Sequence, residues 1–563
     1  MQTIKTKLKK VAALPKGRII AFSILIFFIV IIIGGIWYWN TQKKGIIRNK
    51  MEAAVLEKSD GLYKIKYDNL EMDEIAGNLF ISKMNLSYDS SRYMDLVKIS
   101  KEPSILLNIF IPGIRVSGVS TPKALIYNEI SGRKLEIIDP VINITYTNSQ
   151  DDSNRVVPMK EIYEQILSGL DLIQADTVLI SGAQIITSSH KTKKISIQIQ
   201  DAFITMMNVK IDRNSNADTT RMFFAKEISV TCKKLAWLSA NDLYNFSADS
   251  ITINSISRQL HVKSFRVIPA LNEEAFVKAI PVQNLRYDLS FSNIQMQNIN
   301  LSQLFEQNIM ADSMLIGAAD FKMYCDLGIT HKKKNRVGYY PHQAIQKIPV
   351  PFRVGKIILS NGFFEYKERN RISRMSGKVQ FYHINTNISN FTNDKKSIAV
   401  NNVMTVNMTS SFLNKTPFNV SWLFYLLHPK GRFDLKGSVG PMEGSWLNSF
   451  AEPMGDISIR KGKLSYAEFN FQGDDYNMDG ILKMPYKDLK VAMLEKDKGS
   501  KEKDKKSVMS LLANILIINS NIKKNKDVQA VQVHLDRDVN YSIFNFSWKT
   551  LRKGITQTAG ITQ

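Results

Sequence analysis

FNVSWLFYL (residues 418–426) is the stretch that decides the fold class, because apolar side chains recur in it at every second position. The residues at these positions are Phe418, Val420, Trp422, Phe424 and Leu426. A period of two places such side chains on one face of a β-strand. The stretch therefore predicts a strand with one buried face.

The same alternation recurs from one end of the chain to the other and marks roughly 25 segments. Clear examples lie at 195–199, 287–291, 404–408 and 531–535. One apolar face per strand is typical of an antiparallel sheet. We therefore predict a mainly β fold built on an antiparallel sheet, with a few short covering helices. Alternation alone is compatible both with an open groove and with a sandwich closed on itself.

An uncharged segment lies between Arg18 and Lys43 near the start of the chain. Residues 19–39 within it are almost all apolar, and twenty helical residues rise about 30 Å, the thickness of a bilayer core. No small-residue cleavage site follows, so the segment predicts an uncleaved transmembrane signal anchor. Its predicted membrane residues, which end in interfacial aromatics, are Ile19, Phe27, Phe28, Trp37, Tyr38 and Trp39.

The charge distribution predicts how the chain is oriented. Six basic and no acidic residues precede the anchor, against four basic residues directly after it, which favours a cytoplasmic N-terminus. The formal net charge is +24, but the 75 Lys and Arg residues are spread along the chain without interleaved aromatics. We therefore predict no nucleic-acid partner and expect attraction to anionic membrane surfaces.

The part of the chain after the anchor is too long for one compact core, since single cores stop growing at about 250–300 residues. It must form several domains or an elongated repeat. The stretch EKDKGSKEKDKKS (495–507) has no apolar residue and predicts a solvated loop. Cys232 and Cys325 cannot form a disulfide framework; we predict two buried thiols, with a single bridge as the alternative.

One internal repeat has apolar or Gly residues at positions 0, 2, 5, 7 and 9, with Tyr always last. Its copies begin at Leu79, Ile357 and Ile457 and end at Tyr88, Tyr366 and Tyr466. The parity changes between positions 2 and 5, which in a regular strand would send the second half to the opposite face. A bulge or tight bend is therefore predicted between those positions, and Gly at position 5 of two copies suits a bend.

Helical patterns are few. Apolar residues recur at three- and four-residue steps over 159–173, after Pro158, and predict a helix that covers a sheet. A second pattern near the C-terminus places four apolar residues on one helical face, namely Phe544, Trp548, Leu551 and Ile555. This helix is expected either to lie on a membrane surface or to cover the end of the sheet.

Motifs for catalysis are absent from the sequence. The seven histidines are scattered, and none stands three or four residues from another, so the chain has no helical metal pair. No phosphate-binding loop and no G-x-S-x-G elbow occurs. Asp474 and Asp475 form an adjacent acidic pair, but the surrounding Gly-Asp-Asp-Tyr predicts a turn. We predict a protein that is not an enzyme, with no catalytic residues, cofactor or metal.

Residues 433–494 carry a series of structural motifs. Leu447-Asn448 precedes an acidic-Pro turn, an Ile-x-Ile-x-x-Gly strand begins at Ile457, and a Gly-containing strand holds Gly480. A Tyr-x-Asp-Leu-x-Val strand follows at 486–491. This region resembles the C-terminal region of the AsmA-like family, and the repeat, the helix at 159–173 and the anchor also look like that family. The match is good over about 60 residues and loose over most of the remaining chain.

The resemblance implies an envelope protein similar in architecture to TamB and YhdP. An inner-membrane helix would carry an elongated, curved antiparallel β-sheet, a repeating taco-like groove, into the bacterial periplasm. The groove would hold phospholipid acyl chains moving between inner and outer membrane. The implied partners are phospholipids, the inner membrane and an outer-membrane or periplasmic protein. The groove residues expected on this interpretation are Ile195, Ile197, Ile199, Val420, Trp422 and Phe424. The alternative hypothesis is a non-enzymatic scaffold that assists outer-membrane protein assembly.

The predicted organisation follows from these features. Its segments are a cytoplasmic basic tail (1–18), the transmembrane anchor (19–39), a repeating β-groove body (40–430), the AsmA-like C-terminal β region (431–494), the charged loop (495–507) and C-terminal strands with an amphipathic helix (508–563).

Overall fold

A computed structural model describes most of the chain beyond residue 51. The described residues are 52–53, 55–57, 59–73, 75–119, 129–147, 172–212, 221–222, 224–239, 241–305, 308–455, 457–495, 510–514, 518–522 and 527–560. Of these residues 58% lie in strands. The mainly β fold predicted from the alternation is therefore confirmed. The predicted anchor at 19–39 lies outside the described residues.

The chain divides into two compact units. Unit 1 comprises the residues up to Ala240 together with Phe246–Ser264, and unit 2 comprises Asn241–Asn245 and the residues from Phe265 onward. The elements that begin in unit 1 are β1 (Tyr63–Lys66), β2 (Asn69–Asp73), β3 (Asn78–Tyr88), α1 (Ser90–Lys98), β4 (Ile105–Ser117), β5 (Glu129–Ile138), β6 (Val141–Tyr146), β7 (Leu172–Ser189), β8 (Ile195–Asp212) and β9 (Glu227–Leu238). Strands β10 (Tyr244–Asn254) and β11 (Gln259–Pro269) contribute to both units.

Unit 1 is organised around the sheet that contains β3 to β9. Strand β3 pairs with β1 and β2 on one side and with β4 on the other. Strand β4 pairs with both β5 and β6, and these two pair in turn with the long strand β7. Ile81 and Ile137 are fully buried in the core that these strands share.

Unit 2 holds the remaining described elements. Its helices are α2 (Glu273–Ala279), α3 (Leu301–Phe305), α4 (Pro341–Ile345), α5 (Lys395–Val400), a 3-10 turn (Gly444–Leu447), α6 (Asn448–Gly455) and α7 (Ile543–Thr558). Its strands are β12 (Arg286–Gln297), β13 (Ile309–Asp326), β14 (Phe352–Arg369), β15 (Ser376–Thr392), β16 (Val403–Phe412), β17 (Thr416–Tyr425), β18 (Phe433–Val439), β19 (Met442–Glu443), β20 (Ile457–Leu464), β21 (Ala467–Gly473), β22 (Asn477–Lys483), β23 (Tyr486–Glu495), β24 (Ser510–Asn514) and β25 (Val531–Asp536).

Two sheets form unit 2. Neighbouring strands from β12 to β18 pair in chain order, and β18 then pairs with β21, β21 with β22 and β22 with β25. A smaller antiparallel sheet contains β19, β20, β23 and β24. Phe433, Phe471 and Leu482 are fully buried in the core of this unit.

The predicted antiparallel sheet is wrong in one respect, because the pairing is mixed. Strands β5 and β6 run parallel to β7, and β13 runs parallel to β14. A parallel pair needs a crossover of a dozen or more residues, and the connection 327–351 between β13 and β14 supplies one. Period-two alternation says which face a side chain occupies and nothing about strand direction, so the sequence pattern did not reveal these pairs.

The bend predicted within the internal repeat is confirmed in all three copies. In β3, Lys83 has a φ of 49°, and the buried residues on its two sides lie on one face. In β14, Asn361 has a φ of 53° and the register with β15 shifts on both sides of Gly362. In β20, Gly462 has a φ of 152° within a similar shift. The parity change in the sequence therefore marks a bend in each copy, which in β14 and β20 is a β-bulge.

Of the two helices predicted from the sequence, one lies almost entirely outside the described residues and the other is present. The helix predicted at 159–173 lies outside the described residues except for Leu172 and Ile173, which begin strand β7. The predicted C-terminal helix is present as α7. Its most deeply buried positions are Ile543, Phe546, Thr550, Gly554 and Thr558, whereas Phe544 and Trp548 are exposed. The helix covers β22 and β25, as one of the two sequence alternatives expected.

Gly554 fixes how closely α7 approaches the sheet. A Cβ atom at this position would lie 2.8 Å from Leu482 Cδ2 and 2.9 Å from Val533 Cγ2. We therefore expect Gly554→Leu to lower the free energy of unfolding by about 1–3 kcal/mol through overpacking. Arg552→Leu, at an exposed position of α7, is the matched control and should leave the urea midpoint nearly unchanged. Equal midpoints for both variants would contradict close packing at Gly554.

A candidate apolar ligand face

One face of the large sheet in unit 2 is lined mainly by apolar side chains. In β12, Leu289 and Phe291 point to this face, and Ser290 and Ser292 point to the other. The pairings of β13 to β17 continue the same division, since directly paired residues share a face of a sheet. We call the side that carries Phe291 the apolar face.

Seven phenylalanines follow one another across the apolar face, one on each strand from β11 to β17. We call this set the phenylalanine row, and its members are Phe265, Phe291, Phe321, Phe364, Phe381, Phe412 and Phe418. Strands lie about 4.8 Å apart, so seven of them give the row a length of roughly 29 Å. This is about twice the roughly 15 Å that one leaflet contributes to a bilayer core.

Ring contacts connect most members of the phenylalanine row. The centroids of Phe291 and Phe321 lie 5.1 Å apart in an edge-to-face arrangement. Phe321 and Phe364 are direct partners in the parallel pair β13–β14. Phe381 lies 5.1 Å from Phe412 and 5.0 Å from Phe418. These separations are those of favourable aromatic pairs.

Every member of the phenylalanine row is half-buried, unlike the fully buried Phe433 and Phe471 of the same unit. A contiguous set of partly exposed aromatic side chains is a feature of surfaces that contact other molecules. Its atoms offer dispersion contacts and hydrophobic burial and no charge. Such a surface suits an extended apolar ligand.

Helices of unit 2 cover the parts of the apolar face that lie next to the phenylalanine row. Helix α6 lies over Gly377 of β15, where a Cβ atom would approach Met454 Cγ to 2.7 Å. Towards the opposite end of the strands, the His342 ring stacks on Phe424 at 4.9 Å. Phe544 of α7 contacts Trp422 edge to face at 6.4 Å.

The groove residues predicted on β17 lie on the apolar face, beyond the row. Trp422 and Phe424 are 9% and 5% exposed and belong to the core of unit 2. Val420 is half-buried against that core. These residues share a face with Phe418 and are already covered by other parts of the protein.

The groove residues predicted on β8 belong to unit 1. Ile195 is 49% exposed at the start of the strand, whereas Ile197 is buried. Ile199 is partly buried against the core of unit 1. This set therefore belongs to a different compact unit from the set on β17.

Sequence reasoning missed the phenylalanine row. Its members stand at irregular intervals in the chain, and they become neighbours only through the registers of β12 to β17. The available signal was an aromatic residue on the apolar side of each alternating segment. That signal becomes specific only when the order of the strands is known.

Burial shifts the pKa values of His342 and Cys325 in unit 2. Burial lowers the pKa of His342 to about 4, so this ring is neutral near neutral pH. Cys232 and Cys325 are buried and free, which confirms the predicted pair of thiols. Burial raises the pKa of Cys325 to about 12 and keeps it protonated. Within the described ranges no three His, Cys, Asp or Glu side chains are placed to hold a metal ion.

Comparison of the sequence with known protein families and with curated proteins finds no match. The resemblance to the AsmA-like family, which rests mainly on residues 433–494, therefore stays a prediction. None of the helices in the part of the chain that the structure describes is both long and apolar enough to span a bilayer.

Proposed function

We propose that this chain is a lipid-handling protein of the bacterial envelope, which binds phospholipid acyl chains along the phenylalanine row. The observation that carries the proposal is the row itself, seven half-buried aromatic side chains on one face of consecutive strands. The cargo is an acyl chain because the row supplies apolar contact over roughly 29 Å and no charged partner.

The remaining parts of the proposal come from the sequence. The apolar segment 19–39 would anchor the chain in the inner membrane, with the N-terminus in the cytoplasm and the β units in the periplasm. The AsmA-like resemblance supports transfer of phospholipid between the inner and outer membranes. In this arrangement the protein exchanges lipid without changing it chemically and needs no cofactor.

Photocrosslinking from neighbouring positions of β14 tests the proposal. Phe364 belongs to the row, whereas Phe363 is half-buried on the opposite face, near Tyr382 and the Lys322 ammonium. A benzoylphenylalanine at either position changes one phenyl group into a similar aromatic group. We expect irradiation of cells producing the full chain to give phospholipid adducts from position 364 and few from position 363.

The pattern of adducts separates the two functional hypotheses. Protein adducts and no phospholipid at position 364 would overturn the lipid proposal and favour the assembly scaffold. Equal phospholipid yields at both positions would also overturn it, because simple proximity to a membrane would then explain the adducts. Mass spectrometry of the purified, stringently washed protein provides the readout.

A further inference from the structure

The apolar face contains one acidic side chain, at the end of β14. Phe364, Tyr366 and Glu368 occupy alternate positions of this strand and share its apolar side. No register shift intervenes, since β14 pairs regularly with both neighbours over these residues. Glu368 therefore lies on the same face as the phenylalanine row, about 13 Å along the strand from Phe364.

Glu368 has one neighbour on its own strand and one on each adjacent strand. The Tyr366 hydroxyl donates a hydrogen bond to the Glu368 carboxylate. Cys325 is the direct partner of Glu368 on β13, and Gly377 is its partner on β15. Helix α6 packs over Gly377, so Glu368 lies on the strand next to a position that α6 covers.

Cations near Glu368 in the sequence are on the other side of the sheet. The Lys367 ammonium pairs with Glu273 at 2.9 Å, and Arg369 Nε donates to the carbonyl oxygen of Arg374 at 3.1 Å. Across the described ranges no lysine, arginine or histidine forms an ion pair with Glu368, and the groups that face it are Tyr366 and Cys325.

A half-buried carboxylate without a neighbouring cation has an unfavourable free energy on an apolar face, because the charge is partly removed from water. Burial raises the pKa of Glu368, with the Tyr366 hydrogen bond acting in the opposite direction. Buried charges in proteins are normally paired. A nearby positive charge would favour the ionised carboxylate and offset the cost of burial. A cation supplied by a bound ligand would provide such a charge.

We propose that Glu368 receives the ammonium group of an amine-bearing lipid head, while the acyl chains of that lipid extend over the phenylalanine row. This inference rests on the proposed lipid-binding function and adds a preference for a class of head group. The distance from Glu368 to Phe364, about 13 Å, is close to the roughly 15 Å depth of one leaflet's hydrocarbon. A lipid held at Glu368 would thus reach the row with its tails.

The test compares two glutamates of β14 that face opposite sides. Glu365 accepts a hydrogen bond from Gln380 Nε2 at 2.6 Å on the polar side of the sheet. Glu368→Gln keeps an oxygen that can accept from Tyr366 and removes the charge, and Glu365→Gln makes the same change away from the apolar face. Each variant carries benzoylphenylalanine at position 364 in the full chain and is irradiated with vesicles. The vesicles contain equal phosphatidylethanolamine and phosphatidylglycerol with identical acyl chains.

The ratio of the two lipid adducts is the readout. We expect the unsubstituted chain and Glu365→Gln to favour phosphatidylethanolamine on the order of fivefold, the factor for an ion pair worth about 1 kcal/mol. Glu368→Gln should give a ratio near one at an unchanged total yield. Lipid adducts without any preference, or a preference that survives Glu368→Gln, would overturn the head-group inference alone. No lipid adduct in any sample would overturn the proposed function as well.

Discussion

Replacing Arg537 by Met is expected to lower the free energy of unfolding by about 3–5 kcal/mol. Arg537 and Asp475 form an ion pair at 2.6 Å, and their side chains are 0% and 2% exposed. The variant would leave the Asp475 carboxylate buried without its cation. Removing one partner of a buried pair costs more than the pair itself contributes, because the remaining charge keeps its desolvation penalty.

The network around this ion pair explains why the loss should extend beyond one contact. Asp475 also accepts hydrogen bonds from the Gly338 amide at 3.1 Å and from Gln343 Nε2 at 2.7 Å. Arg537 donates to the carbonyl oxygen of Arg336 at 3.1 Å, and its guanidinium lies 4.2 Å from the centre of the Tyr340 ring. The pair thereby fixes the crossover connection that makes β13 and β14 parallel.

An exposed arginine in the same unit provides the control. Arg432 lies 3.8 Å from Asp434 and is 45% exposed, so Arg432→Met should cost less than about 1 kcal/mol. Urea unfolding of the full chain, followed by circular dichroism, measures both variants. A loss for Arg537→Met no larger than that for Arg432→Met would show that the buried network does not hold the connection.

The strands were predictable because their signal is local. The alternation at 418–426 corresponds to β17, and the alternations at 195–199 and 404–408 lie in β8 and β16. The bends were predictable for the same reason, since a parity change such as that around Lys83 lies within one strand. Local periodicity therefore gave both the elements and their bends.

The phenylalanine row and the position of Glu368 could not be predicted from the sequence, because both depend on pairing between distant segments. Phe321 and Phe364 are far apart in the chain and become partners only because the crossover 327–351 makes their strands parallel. The isolation of Glu368 is concealed in the same way, because Lys367 and Arg369 flank it in sequence and lie on the other face. Neighbours along a strand occupy opposite faces of a sheet. A charge pattern along the chain therefore says little about which ions meet.

Replacing Phe381 by Asp is expected to reduce phospholipid capture by about 100-fold. Phe381 is the fifth of the seven members of the row, and its ring contacts those of Phe364, Phe412 and Phe418. A carboxylate surrounded by hydrocarbon costs about 3 kcal/mol, which corresponds to roughly two factors of ten in affinity. Phospholipid recovered with the purified full chain, relative to protein and measured by mass spectrometry, should fall accordingly.

The neighbouring Tyr382 makes this prediction specific to the apolar face. Tyr382 is also a half-buried aromatic residue of β15, but it lies on the opposite side and packs against Phe363 at 4.9 Å. Tyr382→Asp removes a comparable aromatic contact and should therefore cost a similar free energy of unfolding, yet it should leave phospholipid capture near that of the unsubstituted chain. If Tyr382→Asp reduced capture as much as Phe381→Asp, destabilisation of the sheet would explain both losses, and the row would not be the ligand surface. If neither variant reduced capture, the lipid would bind elsewhere on the protein.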